Sequence, residues 1–262
     1  MGFSALAATK NRRQADFDVI TCMHSEDNFC VLALAVESAD PLLVRDILRA
    51  LETSPTRTTC INRALQSASA LGCVRLSEIL VGYGGDLHFI GGPYQSCIEA
   101  AIVGGRVEMV EWLIDHGLAV DIGDSRRCPP LALASIWNRE EVVMKLLNHG
   151  ANVNQEVDMH GTALQAAALQ GYGQIVAILL EYGADANMQG GYYGNALQAA
   201  AATGCSDIIA LLLEGGANVT ARGGYYGSAL EAALSGHHGE AVSCLLQHGA
   251  MEGAEEWVTV PP

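Results

Sequence analysis

Lysine and arginine are scarce in this 262-residue chain: 14 of them stand against 29 aspartates and glutamates, and the formal net charge is −15. A nucleic-acid partner needs a Lys/Arg surface to neutralise phosphates, and an anionic membrane surface needs the same sign, so neither partner is expected. The shortage is steepest toward the C-terminus. From Ala151 to Pro262 the only basic residue is Arg222, set against eleven Asp and Glu. A partner meeting that half is expected to be neutral or basic. Long apolar runs are missing too: no stretch reaches the ~18 residues of a transmembrane helix. No long apolar stretch lies between the first basic residues and a cleavage site, so no secretory signal is expected. Cys22, Cys30, Cys60, Cys73, Cys97, Cys128, Cys205 and Cys244 form no CxxC pair. Thinly spread cysteines suit reduced, buried thiols of an intracellular protein, cytoplasmic or nuclear, better than a disulfide framework or a zinc site. No Gly-x-x-x-x-Gly-Lys loop and no Gly-x-Ser-x-Gly elbow is present, which removes the two commonest sequence signatures of nucleotide and ester chemistry.

What the chain does have is self-similarity. Shifted so that Leu164 falls on Leu197, it matches itself, and Leu197 then falls on Leu230. Residues 161–168 read GTALQAAA, residues 194–201 GNALQAAA and residues 227–234 GSALEAAL. Those three leucines are the anchors of their copies. Stepping backward by the same amount gives Leu131, Ile98, Leu65 and Leu32, so all seven positions are apolar. A second apolar group and then a glycine follow in each copy, as in Ile208-Ile209 to Leu212-Leu213 with Gly216. A fixed step of this length is the mark of a repeat architecture.

Each copy predicts two helices. The first is short, with a small-residue face such as Leu197, Ala199, Ala200 and Ala201. Ser96, Thr162, Asn195 and Ser228 are good N-caps. Three positions on stand Glu99, Gln165, Gln198 and Glu231, which completes a capping box in each copy. Pro130 stands at the first helical position of the fourth copy, where its missing N–H costs nothing. The second helix, about Asp207 to Glu214 and its equivalents, ends at a glycine able to adopt a left-handed C-cap. Glycine-rich segments such as residues 190–194 and 223–227 predict tight hairpin-like reversals between copies. One copy cannot bury its apolar face alone, so the copies are expected to stack. Small residues on the first helices and bulkier ones on the second would curve the stack, with first helices and hairpin tips lining a concave side.

A period of about 33 residues, the G-x-A-L-x-A-A start and the L-L-x-x-G-A-(N/D) finish resemble ankyrin repeats. The resemblance spans residues 29–251, degenerate in the first two copies and specific in the last four. The common Thr-Pro-Leu-His start is absent. Its replacement, Thr162-Ala-Leu-Gln and its equivalents after Tyr-Gly, is similar to arrays in large fungal proteins of the incompatibility and immune-receptor type. The resemblance implies an all-α solenoid of about seven helix pairs. It also implies a non-catalytic, cofactor-free scaffold that binds a protein through its hairpin tips and the exposed face of its first helices. Residues 1–28 are expected to be an extension or degraded cap, and 252–262 a tail. Neither end looks like a polar capping repeat, which leaves open a longer array or a larger signalling protein.

Carried over position by position, the tips are Pro93-Tyr94, Arg126-Arg127, Met159-His160, Tyr192-Tyr193 and Tyr225-Tyr226. One residue of each tip should stack on its neighbour. Tyr94, His160, Tyr193 and Tyr226 share that register, which leaves Arg126, Met159, Tyr192 and Tyr225 for partner contact. Tyr and Trp carry much of the energy at interfaces, as does Arg. Trp137 stands where other copies have Gly104, Gln170 and Thr203. Packing within a copy therefore does not demand an indole, and Trp137 is read as a partner anchor. The plainer alternative packs it on Trp112 or Pro129. Gln170 is a second exposed first-helix position, with Leu169, Ala202 and Thr203. Arg126 and Arg127 are the one basic pair of the repeat body, suited to an acidic group or simply to solvent. His116, His149 and His248 share one repeat position before the helix-ending glycine. They are assigned a structural role at helix C-termini rather than metal binding. Cys97, Cys205 or Cys244 beside His238 could in principle form a nucleophile, but cysteine as a small core residue is the favoured reading. The competing readings are an atypical enzyme or small-molecule binder using the groove, and an array that self-associates through an uncapped end.

Overall fold

The computed structural model describes residues 31–121, 128–156 and 161–250. Those residues form fourteen α-helices and no strand. The chain divides into two compact units, residues 1–118 and 119–262.

The first unit holds three helix pairs: α1 (Val31–Glu37) with α2 (Pro41–Ala50), α3 (Arg57–Leu71) with α4 (Val74–Gly82), and α5 (Cys97–Val103) with α6 (Val107–Asp115). Here α1 packs on α3 and α3 on α5, with α4 against α6. The α3 helix runs to 15 residues, because Arg57 to Cys60 continue it where later copies carry a glycine-rich reversal. The Arg57 guanidinium donates to the Tyr83 carbonyl at 3.2 Å.

The second unit holds four pairs: α7 (Pro130–Ile136) with α8 (Glu140–Asn148), α9 (Ala163–Gln170) with α10 (Gly173–Glu181), α11 (Ala196–Thr203) with α12 (Ser206–Glu214), and α13 (Ala229–Ser235) with α14 (Gly239–Gln247). The first helices α7, α9, α11 and α13 pack in one row. The second helices α8, α10, α12 and α14 form another row. All seven anchors, from Leu32 and Leu65 through Ile98 and Leu131 to Leu164, Leu197 and Leu230, are buried. Ala167, Ala200 and Ala201 are fully buried, so the close approach of first helices rests on their small side chains.

The caps follow the sequence, except that the boxes at Ser96 and Ser228 lack their return arm; the Ser96 amide donates to the Tyr94 carbonyl at 2.8 Å instead. Thr162 and Asn195 form complete capping boxes with Gln165 and Gln198. At Ser96 and Ser228 the hydroxyl accepts from the backbone of Glu99 and Glu231. The expected return arm is replaced at Glu231, whose carboxylate is held by Arg222 at 3.0 Å. A carboxylate beside a guanidinium gains more from that pair than from one neutral amide. Between the two helices of each pair sits a left-handed residue: Gly72, Gly105, Gly171 and Gly204, but also Ala39, Asn138 and His237.

Candidate functional site

The hairpin tips of the second unit are built from the backbone outward. Gly190 donates to the Gly194 carbonyl at 2.7 Å, and Gly223 to that of Gly227 at 2.9 Å. Each pair is an isolated antiparallel bridge closing a turn that carries two tyrosines. Neighbouring tips are tied directly, because Tyr225 N–H donates to the Tyr192 carbonyl at 3.1 Å. Gly224 makes this approach possible. A Cβ there would collide with the Tyr193 carbonyl, and its φ is +62°.

The rings form two columns. Tyr193 and Tyr226 stack with centroids 6.3 Å apart, as the sequence register requires. The expectation that only one residue of each tip stacks is corrected: Tyr192 and Tyr225, read as partner-facing, also stack, and more closely, at 4.8 Å and 20°. The physical reason is that all four rings sit on turns, not strands, so consecutive side chains are not sent to opposite faces. Perpendicular edge contacts join the columns, Tyr192 to Tyr193 at 5.1 Å and Tyr225 to Tyr226 at 4.9 Å. Stacking leaves the outer column open, with Tyr192 47% and Tyr225 65% exposed. The Tyr192 phenol is pushed above its ordinary value, first by desolvation and then by the Tyr225 hydroxyl.

Beneath the tips, Gln165 and Gln198 each serve two copies. The Gln198 side chain accepts from the Asn195 amide at 3.0 Å and donates to Gly223 at 2.9 Å and Gly227 at 3.3 Å. Gln165 accepts from Thr162 and donates to Met188 at 2.8 Å and Gly194 at 3.1 Å. Reading these residues only as capping-box partners missed the second bond. A glutamine carries both a donor and an acceptor, which was the available signal. A parallel tie also escaped notice. Asp121, Asn154 and Asn187 hold one position in successive copies, and they accept from the backbone of Asn152, Asp185 and Asn218 at 2.7–3.1 Å.

At the far ends of the first helices lies a second row. Trp137 caps α7 and is 48% exposed, and Gln170 ends α9 exposed. Thr203, the next equivalent, is exposed as well. The tips precede these helices and Trp137 and Gln170 close them, so about 12 Å of helix separates the two rows. Arg126, Arg127, Met159 and His160 lie outside the described residues.

The histidines have structural duties. Nδ1 of His116, His149 and His248 lies 2.7–2.8 Å from the carbonyl of Trp112, Lys145 and Cys244, four residues back. A carbonyl only accepts, so Nδ1 carries the proton in each. His238 Nε2 meets the Ala202 carbonyl at 3.1 Å and ties two copies together. Arg106 does the same to Ala70 at 3.0 Å. Burial pushes the Cys97 thiol up to about 11, against the activation a nucleophile needs. A cavity of about 200 Å³ beside the last pair is lined by Val219, Thr220, Arg222, Ser228, Leu230 and Ala250. It lies below the usual range for small-molecule sites and offers no His, Cys or carboxylate. Among the described residues, no three His, Cys, Asp or Glu side chains converge on a metal position, and no helix is long and apolar enough to cross a membrane.

Comparison with known proteins agrees with this architecture. Residues 65–157 and 155–223 match the family model of ankyrin repeats (3 copies). A search of curated proteins finds no match to the chain. Since that family model covers more than half of the residues and the helix pairs recur at its period, the chain belongs to the ankyrin-repeat family.

Proposed function

We propose that the second unit is a protein-docking scaffold. Its partner would lie across the first helices, between the tyrosine tips and the row that contains Trp137 and Gln170. Ankyrin repeats are generally protein–protein interaction modules and are typically not enzymes, which sets the class of function. The observation that carries this reading is the exposure of Trp137 together with that of the stacked pair Tyr192 and Tyr225. Tyrosine rings already held in a stack lose little conformational freedom on binding. Gln170 and Thr203, the exposed positions equivalent to Trp137 in the next two copies, are uncharged. Arg222, three residues before Tyr225, is engaged by Glu231. A neutral or basic segment of a protein fits such a surface, and recognition within a larger signalling protein is the setting we favour.

The test is affinity capture from the source cell's lysate with the wild-type chain and with a W137A/Y192A/Y225A variant. Circular dichroism serves to confirm that the variant is folded. Loss of a reproducible set of bound proteins in the folded variant supports the reading. Recovery of the same set at the same yield removes these residues from the interface.

A further inference from the structure

The tyrosine pair at the tips has a geometry that binding does not require. Tyr192 and Tyr225 lie a whole repeat apart in sequence, yet their rings stack at 4.8 Å and 20°. Both are exposed to a soluble oxidant, at 47% and 65%. Their backbones are tied by the Tyr225 N–H to Tyr192 carbonyl bond, so the two phenols stay together. Tyr193 and Tyr226, by contrast, are half-buried and stack at 6.3 Å.

We propose that Tyr192 and Tyr225 form a preorganised site of oxidative modification, at which a dityrosine cross-link staples two adjacent repeats. The oxidant is of the haem peroxidase and hydrogen peroxide class. It takes one electron and one proton from each phenol and leaves two phenoxyl radicals. These couple through the ring carbons ortho to the oxygens, forming one C–C bond. The hydrogens on the joined carbons then shift to the oxygens and restore two phenols. In all, two electrons and two protons leave the protein and convert one peroxide to two waters. Holding both radicals side by side makes coupling an intramolecular event, which gives this pair its advantage over tyrosines that must meet by diffusion. The product would close a loop through α11 and α12, linking the tip before α11 to the tip before α13.

The experiment treats the full chain at low micromolar concentration with peroxidase and limiting hydrogen peroxide. Dityrosine fluorescence is followed, and the product is digested with a glutamate-specific protease. Cleavage after Glu181, Glu214 and Glu231 places Tyr192 in residues 182–214 and Tyr225 in residues 215–231. The expected result is a monomeric product in which those two peptides are joined with the loss of two hydrogens. The Y192F and Y225F variants, which keep the stack without the phenol, should each lose about tenfold of the fluorescence. Y193F should retain it, and so should Y226F. The chain unfolded in urea should couple no better than its other tyrosines. Three results would overturn the proposal: cross-links only between molecules, an equal yield in urea, or full fluorescence in folded Y192F.

Discussion

The side-chain amide of Gln198 donates to the Gly223 carbonyl at 2.9 Å while its oxygen accepts from the backbone of Asn195 at 3.0 Å. One buried side chain thus closes the N-terminus of α11 and holds the hairpin of the next copy. A carboxylate can do only the first. Gln198→Glu should therefore lower stability by about 2–3 kcal/mol, since it sets an unpaired charge against carbonyl oxygens. Glu231→Gln should change stability by less than about 1 kcal/mol, because it trades a solvent-exposed ion pair with Arg222 for the missing box arm. Urea unfolding of both variants measures the contrast. Equal costs would show that the link to the next hairpin contributes nothing.

Glycine does different work at two left-handed positions. Gly216 follows α12 with φ +87° and open space where a Cβ would go. Gly224 has φ +62°, and the Tyr193 carbonyl already occupies that space. Gly216→Ala should cost only the left-handed backbone, about 1–2 kcal/mol. Gly224→Ala should cost about 3 kcal/mol or more and should also disturb the tyrosine columns. Thermal unfolding with near-ultraviolet circular dichroism reports both effects. An unchanged aromatic signal in Gly224→Ala would contradict the tip geometry.

The turn between paired helices is left-handed in every copy, but three copies lack glycine there. Ala39 has φ 54° and Asn138 the same value. Asparagine tolerates this region through local hydrogen bonding, whereas alanine does not. Ala39→Gly is therefore expected to stabilise the chain by up to about 1 kcal/mol, and Asn138→Gly by less. Paired urea titrations decide the order, and a destabilised Ala39→Gly would refute the strain argument.

The Cys97 thiol titrates near 11 when folded, against 9.0 as its ordinary value, because burial disfavours the thiolate. The unfolded chain therefore releases this proton first as pH rises. Stability from the neutral thiol is complete below pH 9 and is lost as pH climbs toward 11. Cys97→Ala should flatten this part of the stability curve. Unfolding free energies of both proteins between pH 8 and 11 provide the measurement. Parallel curves would mean that the thiol is not the group involved.

Much of the fold was legible because it depends on local chemistry repeated at a fixed step. The seven anchors were readable as one apolar position in every copy, and all are buried. Thr162, Asn195 and Pro130 announced helix starts in the terms by which caps work. The histidine role was also readable: three copies at one position before a glycine place three rings on C-terminal carbonyls. The candidate surface was harder. A strand-like alternation suggested that each tyrosine pair would divide its labour, but turn geometry put both columns into stacks. Leu234 shows the same limit. It shares its position with Ala168 and Ala201, both fully buried, yet is itself 43% exposed, because among the described residues no further first helix covers it.

The amino-acid order alone determined the period, the helix pairs, their caps and the acidic, nearly cation-free C-terminal half. Each of these follows from backbone preference and apolar spacing within a few dozen residues. Tertiary packing decided which side chains serve two copies at once and which aromatic faces remain open. Gln198, Asn187 and Tyr225 find their partners in a neighbouring copy, and only the distance between stacked repeats brings them within bonding reach.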